Sequence, residues 1–350
     1  MSGGLHGAAG LQTVATYFNA TGLRGLGYTT INTDEGWELG TRDAHGRLQW
    51  NPQQYPDGLP AFIKSLHAQG FQFGIYGAAS GVTCGGDPGQ LFHEDVDAQT
   101  YVSWGVSYLK SDNCASYALD SSVRFGAMRD ALNRTGAPVV LSIEPFSINV
   151  DPAQSSATAN LWRVAKDIRG DWGTFTNRAD MSDKWSPLAG PGGWNDPDMI
   201  NVNTGLTLGE NRVYFALWCI MKAPLLLSTN FPTLPDTILG IVNNTRLVTV
   251  NQDPAGVQAR KLVVDGNRLP WLVWGGPLAG GDYVMALVNR GPAAANITAE
   301  FAALEMGGLG PTSSFTLTDL WSGSDAGAHT GSFTATIPTH DIGVFRLHPH

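Results

Sequence analysis

Short apolar runs that end on a charged or phenolic side chain recur through the first 256 residues, each separated from the next by a segment of helical periodicity. Residues 28–33 lead into Asp34 and Glu35, residues 71–76 end on Tyr76, and residues 106–112 end on Lys110 and Asp112. Residues 139–144 end on Glu144. Weaker strand patterns over 161–167 and 192–199 end on Asp167 and beside Asp198, and a run at 225–228 closes the series. Between them the spacing predicts helices that include 60–69, 97–104, 123–132 and 208–222. Leu11, Val14, Ala15 and Phe18 fall on one face of a helix that opens the chain.

Alternating strand and helix patterns imply a parallel sheet. A strand interior has no place for Lys110 or Asp112, because burying an unpaired charge is costly; a strand end that opens onto a binding face does. A doubly wound sheet would gather such residues at one switch point. Here six strands contribute them, which is the pattern of a (β/α)8 TIM barrel, whose functional groups stand at the C-terminal ends of its strands. Seven strands are visible and eight are needed. The first barrel strand is therefore expected to be missing, with truncation of the gene model as the reading preferred here. After residue 256 the texture changes to period-two alternation, as in 269–274, 283–289, 314–320 and 332–337, with Gly, Pro and Asn between the runs. The expected division is an α/β barrel over 1–256 and a small antiparallel β domain over 257–350.

A formal charge of −9 argues against nucleic acid as a partner. No apolar run reaches the length of a membrane span. The eight histidines are scattered with no pair at ligand spacing, so no metal is expected. Neither a dinucleotide or phosphate loop nor a nucleophile elbow is present, and no cofactor is expected. What remains is a set of carboxylates and one lysine at the mouth of a barrel. That suits glycoside hydrolysis, in which one carboxylate attacks the anomeric carbon and another protonates the leaving oxygen.

Read from the residues alone, each candidate has a structural alternative. Lys110 and Asp112 could form an ion pair at a strand end, and Asp34 and Glu35 could cap a helix. The stretch from Asp196 to Asp198 reads as a turn, Arg163 could pair with Asp167 at the surface, and Tyr76 could belong to the core.

In chain order, the segments GYTTINTDEGW (27–37), FGIYGAASGVTCGG (73–86), YLKSDNC (108–114), LWRVAKDI (161–168), AGPGGWNDPDMI (189–200), KAPLLLS (222–228) and NQDPAGVQ (251–258) resemble glycoside hydrolase family 27 over nearly the whole chain. This family contains α-galactosidases, α-N-acetylgalactosaminidases and β-L-arabinopyranosidases. The resemblance implies a retaining exo-glycosidase that removes terminal α-D-galactosyl residues by double displacement, with Asp112 as nucleophile and Asp167 as acid/base. It also implies that Lys110, Arg163, Asp34, Tyr76 and Asp198 line the sugar pocket, and that Cys84 and Cys114 form a disulfide at the barrel mouth. Cys219 is expected to be a buried free thiol. A disulfide implies secretion, a vacuole or a lysosome.

Departures from the family pattern sharpen the expectation. The family's first-strand Gly-Trp-x-Ser-Trp segment is absent, which keeps a non-catalytic carbohydrate-binding homologue as an alternative. Glu144 stands where N-acetylgalactosaminidases carry small residues, and would crowd an acetamido group. Glu35 replaces a second aspartate that reaches the 6-hydroxyl of galactose. Its extra methylene points to β-L-arabinopyranose, which lacks the hydroxymethyl group, as an alternative substrate. The expected partners are thus galactosyl or arabinopyranosyl oligosaccharides, polysaccharides or glycosides.

Overall fold

The computed structural model describes residues 5–115, 119–145, 152–262, 270–304 and 309–350. The chain divides into two compact units, Met1–Lys166 with Asn230–Thr233, and Asp167–Thr229 with Leu234–His350.

The first unit is built around five parallel strands in sequential order: β1 (Thr30–Asn32), β2 (Gln72–Ala78), β3 (Tyr108–Asp112), β4 (Val140–Ile143) and β5 (Leu161–Arg163). Its helices are α1 (Gly7–Ala20), α2 (Leu59–Ala68), α3 (Glu94–Trp104), α4 (Ser121–Thr135) and α5 (Pro152–Thr158). The apolar stripe of α1 is buried as its spacing requires, with Leu11, Val14, Ala15 and Phe18 all inside. Helix α2 starts with Pro60 in its first turn, where a missing N–H costs nothing. Helix α3 stops on Gly105 and α4 on Gly136, at φ 90° and 71°, left-handed positions that suit glycine. Strand β2 is buried on nearly every residue, as a parallel strand covered on both faces must be.

Register places the chemistry. Tyr76 stands beside Lys110 and Ala78 beside Asp112, while Lys110 stands beside Ser142. Lys110 and Asp112 are two residues apart on one strand and so share a face.

The second unit contains β6 (Trp194–Asp196), helices α6 (Trp172–Lys184), α7 (Leu208–Ile220), α8 (Asp236–Val242) and α9 (Thr245–Asn251), and an antiparallel β domain. Thr207 and Glu210 close a capping box on α7, whose remaining length is buried almost all round. The β domain comprises β7 (Arg260–Lys261), β8 (Trp271–Pro277), β9 (Tyr283–Asn289), β10 (Ala295–Glu300), β11 (Ser314–Asp319), β12 (Asp325–Thr330), β13 (Ser332–Ile337) and β14 (Asp341–Pro349). Six of these form one sheet in the order β12-β11-β14-β9-β8-β7, and β10 pairs with β13. Their inner faces bury Leu287, Ile297, Phe301, Phe315, Leu317 and Leu347. Leu269, the first residue of one expected strand, lies outside the described residues.

One expectation fails. Residues 225–228 do not form a strand: Leu227 makes a single parallel bridge to Ile200, with the Ile200 N–H donating to Leu226 and the Ser228 N–H to Ile200. Pro224 lies immediately before this run and has no N–H to extend the ladder.

Candidate active site

The ends of β1, β3 and β4 in the first unit converge on Lys110. Its Nζ lies 3.4 Å from Asp34 Oδ2, 3.8 Å from Glu144 Oε2 and 4.0 Å from Asp112 Oδ2. Asp34 follows β1 and Glu144 follows β4, with Lys110 and Asp112 on β3 between them. Burial alone would make the ammonium easier to deprotonate, but Asp34, Glu144 and Asp112 outweigh it and hold Lys110 above the ordinary lysine range. Arg163, at the end of β5, extends the cluster: its Nη1 lies 3.3 Å from Glu144 Oε2, and both side chains are buried.

The Asp112 carboxylate is held from two sides. The Asn113 N–H donates to Oδ1 at 2.6 Å, and the Tyr76 hydroxyl donates to Oδ2 at 3.1 Å. Tyr76 is 1% exposed. Burial, and next the charge of Asp112, push its phenol far above the usual range, so it remains a donor. The Lys110 ammonium also lies over the Tyr76 ring, 5.1 Å from its centroid. Trp37, fully buried, donates its indole N–H to the Tyr76 carbonyl at 2.9 Å and sets the level of that strand end.

A disulfide joins Cys84, in the loop after β2, to Cys114, two residues beyond Asp112; their Cα atoms are 5.1 Å apart. Its two sulfurs lie with Asp112 in a three-residue group of potential metal ligands, but they are bonded to each other rather than offered as thiolates. Glu35 turns toward this loop, and its Oε1 accepts the Gly85 N–H at 2.5 Å. Neither Asp34 nor Glu35 caps a helix. Cys219 is free and buried on α7.

In the second unit, Asp198 has φ 83° and is 4% exposed. Its Oδ2 accepts the Ile168 N–H and its Oδ1 the Met199 N–H, at 2.8 and 2.7 Å. This ties down the residue next to Asp167. Asp167 itself is exposed, and its carbonyl accepts from Arg178. Thus the structure brings together Asp34, Tyr76, Lys110, Asp112, Glu144 and Arg163, with Glu35 on the adjoining loop. It joins Asp198 to the segment of Asp167. Sequence reasoning did not single out Gly85 or Asn113, whose contributions are backbone N–H groups, nor Arg124, which binds Asn113. A backbone donor leaves no signature in side-chain chemistry.

The family model for alpha galactosidase A matches residues 9–253, and that for the alpha galactosidase C-terminal beta sandwich domain matches residues 270–347. Alpha-galactosidase 3 of Arabidopsis thaliana is 40% identical over 341 residues, covering 97% of this chain and 77% of the relative. The crystal structure of alpha-galactosidase I from Mortierella vinacea superposes with a TM-score of 0.92 at 28% identity, covering 98% of this chain and 93% of that one. The α-galactosidase of Saccharomyces cerevisiae, solved with raffinose, gives a TM-score of 0.90 at 26% identity, with 99% and 94% covered. The fold is that of these glycoside hydrolases, an alternating β/α barrel followed by an antiparallel β domain, and the chain belongs to the α-galactosidase family, glycoside hydrolase family 27.

Proposed function

We propose that this protein hydrolyses terminal α-D-galactosyl residues with retention of configuration. The observation that carries the reading is the carboxylate of Asp112, held by Tyr76 and the Asn113 N–H and faced by Lys110 at a strand end. In the first step Asp112 attacks the anomeric carbon and the glycosidic bond breaks, with Asp167 giving its proton to the leaving oxygen. In the second, Asp167 takes a proton from water as the water attacks the glycosyl ester, and Asp112 leaves as carboxylate. Asp34, Lys110, Glu144 and Arg163 supply charged partners for the sugar hydroxyls beside the Tyr76 hydroxyl, and the family resemblance assigns Asp198 to sugar binding as well. Glu144 and Arg163, paired and buried, put charge where an acetamido group would need an apolar or small-residue recess, which disfavours N-acetylgalactosamine.

The substrate class follows relatives named as α-galactosidases, one of them solved with raffinose. The proposed compartment is oxidising, outside the cell or in a vacuole or lysosome, because the Cys84–Cys114 disulfide must persist there. No helix among the described residues is long and apolar enough to cross a membrane.

A slowly turned-over fluorinated galactoside tests the reading. The expected adduct is on the peptide containing Asp112, with the α-anomer as first product. An adduct on another carboxylate, or β-galactose released first, refutes the assignment.

A further inference from the structure

Arg124 is buried in the first turns of α4, 2% exposed, beneath the loops that leave β2 and β3. Its three nitrogens each have an acceptor. Nη1 donates to the Ala79 carbonyl, Nη2 to Asn113 Oδ1 at 2.5 Å, and Nε to the Leu119 carbonyl at 3.2 Å. Among the described residues none of these acceptors is a carboxylate. Ala79 is the first residue beyond β2, and Asn113 the first beyond β3. Both reach Asp112 directly. The Ala79 N–H donates to the Asp112 carbonyl at 2.8 Å, and the Asn113 N–H donates to Asp112 Oδ1 at 2.6 Å.

Among the described residues the guanidinium hydrogen-bonds only to neutral oxygens, with Asp120 the nearby charge that favours its ionised form, so burying it is an expensive way to join two loops. What it provides is a rigid planar fork that a lysine or a neutral donor cannot reproduce, with three acceptors fixed relative to one another. Two of them belong to the residues that grip Asp112.

We infer that Arg124 is a positioning residue for the nucleophile: by fixing Ala79 and the Asn113 side chain, it fixes the backbone N–H that aims the Asp112 carboxylate. The inference rests on the reading of Asp112 as nucleophile. Orientation of this kind acts on the rate of attack more than on ground-state sugar binding. Displacement of a reacting group by about 1 Å costs about 10²-fold.

The test compares Arg124→Lys and Asn113→Ala with the unmutated protein, using nitrophenyl α-galactoside and the fluorinated galactoside, with activity expressed per folded molecule by circular dichroism. Arg124→Lys is expected to lower kcat by about 10- to 100-fold with KM changed less than about threefold, and to slow adduct formation by the same factor. Asn113→Ala, which removes the acceptor but keeps the backbone N–H, is expected to lower kcat by about tenfold. The double variant is expected to be little worse than Arg124→Lys, because the two side chains act as one unit. A lowered melting temperature with kcat per folded molecule unchanged in both variants would show a merely structural role. Should Arg124→Lys fail to fold, Asn113→Ala decides the matter by the same criterion. Mapping the adduct in the unmutated protein separates the two readings. An adduct on Asp112 with unimpaired variants overturns this inference alone, whereas an adduct elsewhere overturns both.

Discussion

The Glu35 carboxylate is fastened to the backbone of Gly85, one residue from the disulfide, and a Cβ built on Gly85 would lie 3.1 Å from the same Oε1. The extra methylene of glutamate over aspartate therefore has a fixed place at the edge of the site. Selectivity is expected to follow it. Glu35→Asp cannot span the same distance, and should move the ratio of kcat/KM on nitrophenyl α-galactoside to that on nitrophenyl β-L-arabinopyranoside toward galactose by about tenfold, within the range that one methylene confers. Gly85→Ala, which presses on the carboxylate without a positive φ to forbid it, should move the ratio as well. An unaltered ratio in both variants would show that this contact has no part in selectivity.

Removing the Tyr76 hydroxyl leaves its ring in the core but takes a donor from Asp112 Oδ2. A hydrogen bond to a charged group contributes about 1.5–3 kcal/mol. Tyr76→Phe is therefore expected to lower kcat/KM by about 10- to 100-fold with little change in melting temperature. Full activity in Tyr76→Phe would show that the Asn113 N–H and Lys110 suffice.

The Cys84–Cys114 bridge spans a sequence separation of 30. Loop-closure entropy for such a span gives about 3–4 kcal/mol of stabilisation. The double serine variant should show a lower urea midpoint with a somewhat larger m-value, because the freed unfolded chain exposes more surface. Because Cys114 is two residues beyond Asp112, activity per folded molecule should fall too. Peptide mapping without reductant should recover Cys84 and Cys114 as one linked pair, and free thiols at both positions would contradict the bridge.

Glu38 is 5% exposed and accepts the Gly36 N–H at Oε2. Burial, against opposing backbone hydrogen bonds and with Asp87 and Glu35 adding repulsion, pushes its carboxyl up to about 8. A folded-state value above the unfolded one means that the native state binds more protons between about pH 4.5 and 8. The contribution to stability is then full below the unfolded value and is lost as pH rises through the folded one. Glu38→Gln, which keeps an acceptor for Gly36, should stabilise the protein by about 1–3 kcal/mol at pH 8 and by much less near pH 4.5. Equal effects at the two pH values would rule out this titration.

Strand ends were legible because they break a rule: Lys110, Asp112 and Glu144 close apolar runs where unpaired charge is not tolerated. Tyr76, by contrast, obeys every rule for a core residue, and only the register opposite Lys110 shows that its hydroxyl meets Asp112. The polar sequence of α6 hid it, since Phe175 and Ala179 are among the few residues that mark its buried face. The run at 225–228 looked like a strand because its leucines are apolar, but hydrophobicity does not supply a partner ladder. Arg124 was invisible for a different reason. Its partners Ala79 and Asn113 are 45 and 11 residues away, and two of its three acceptors are main-chain carbonyls that any sequence could offer.

Among the described residues, the five ionisable groups joined around Lys110 do not balance. Asp34, Asp112 and Glu144 carry three negative charges against two positive charges on Lys110 and Arg163. An uncharged sugar passes this surplus unnoticed, but a small protonated amine bearing hydroxyl groups does not. Buffer amines such as Tris should therefore compete with substrate, more weakly as added salt screens the exposed side of the cluster. Rates measured in amine and phosphate buffers at one pH should differ for that reason alone.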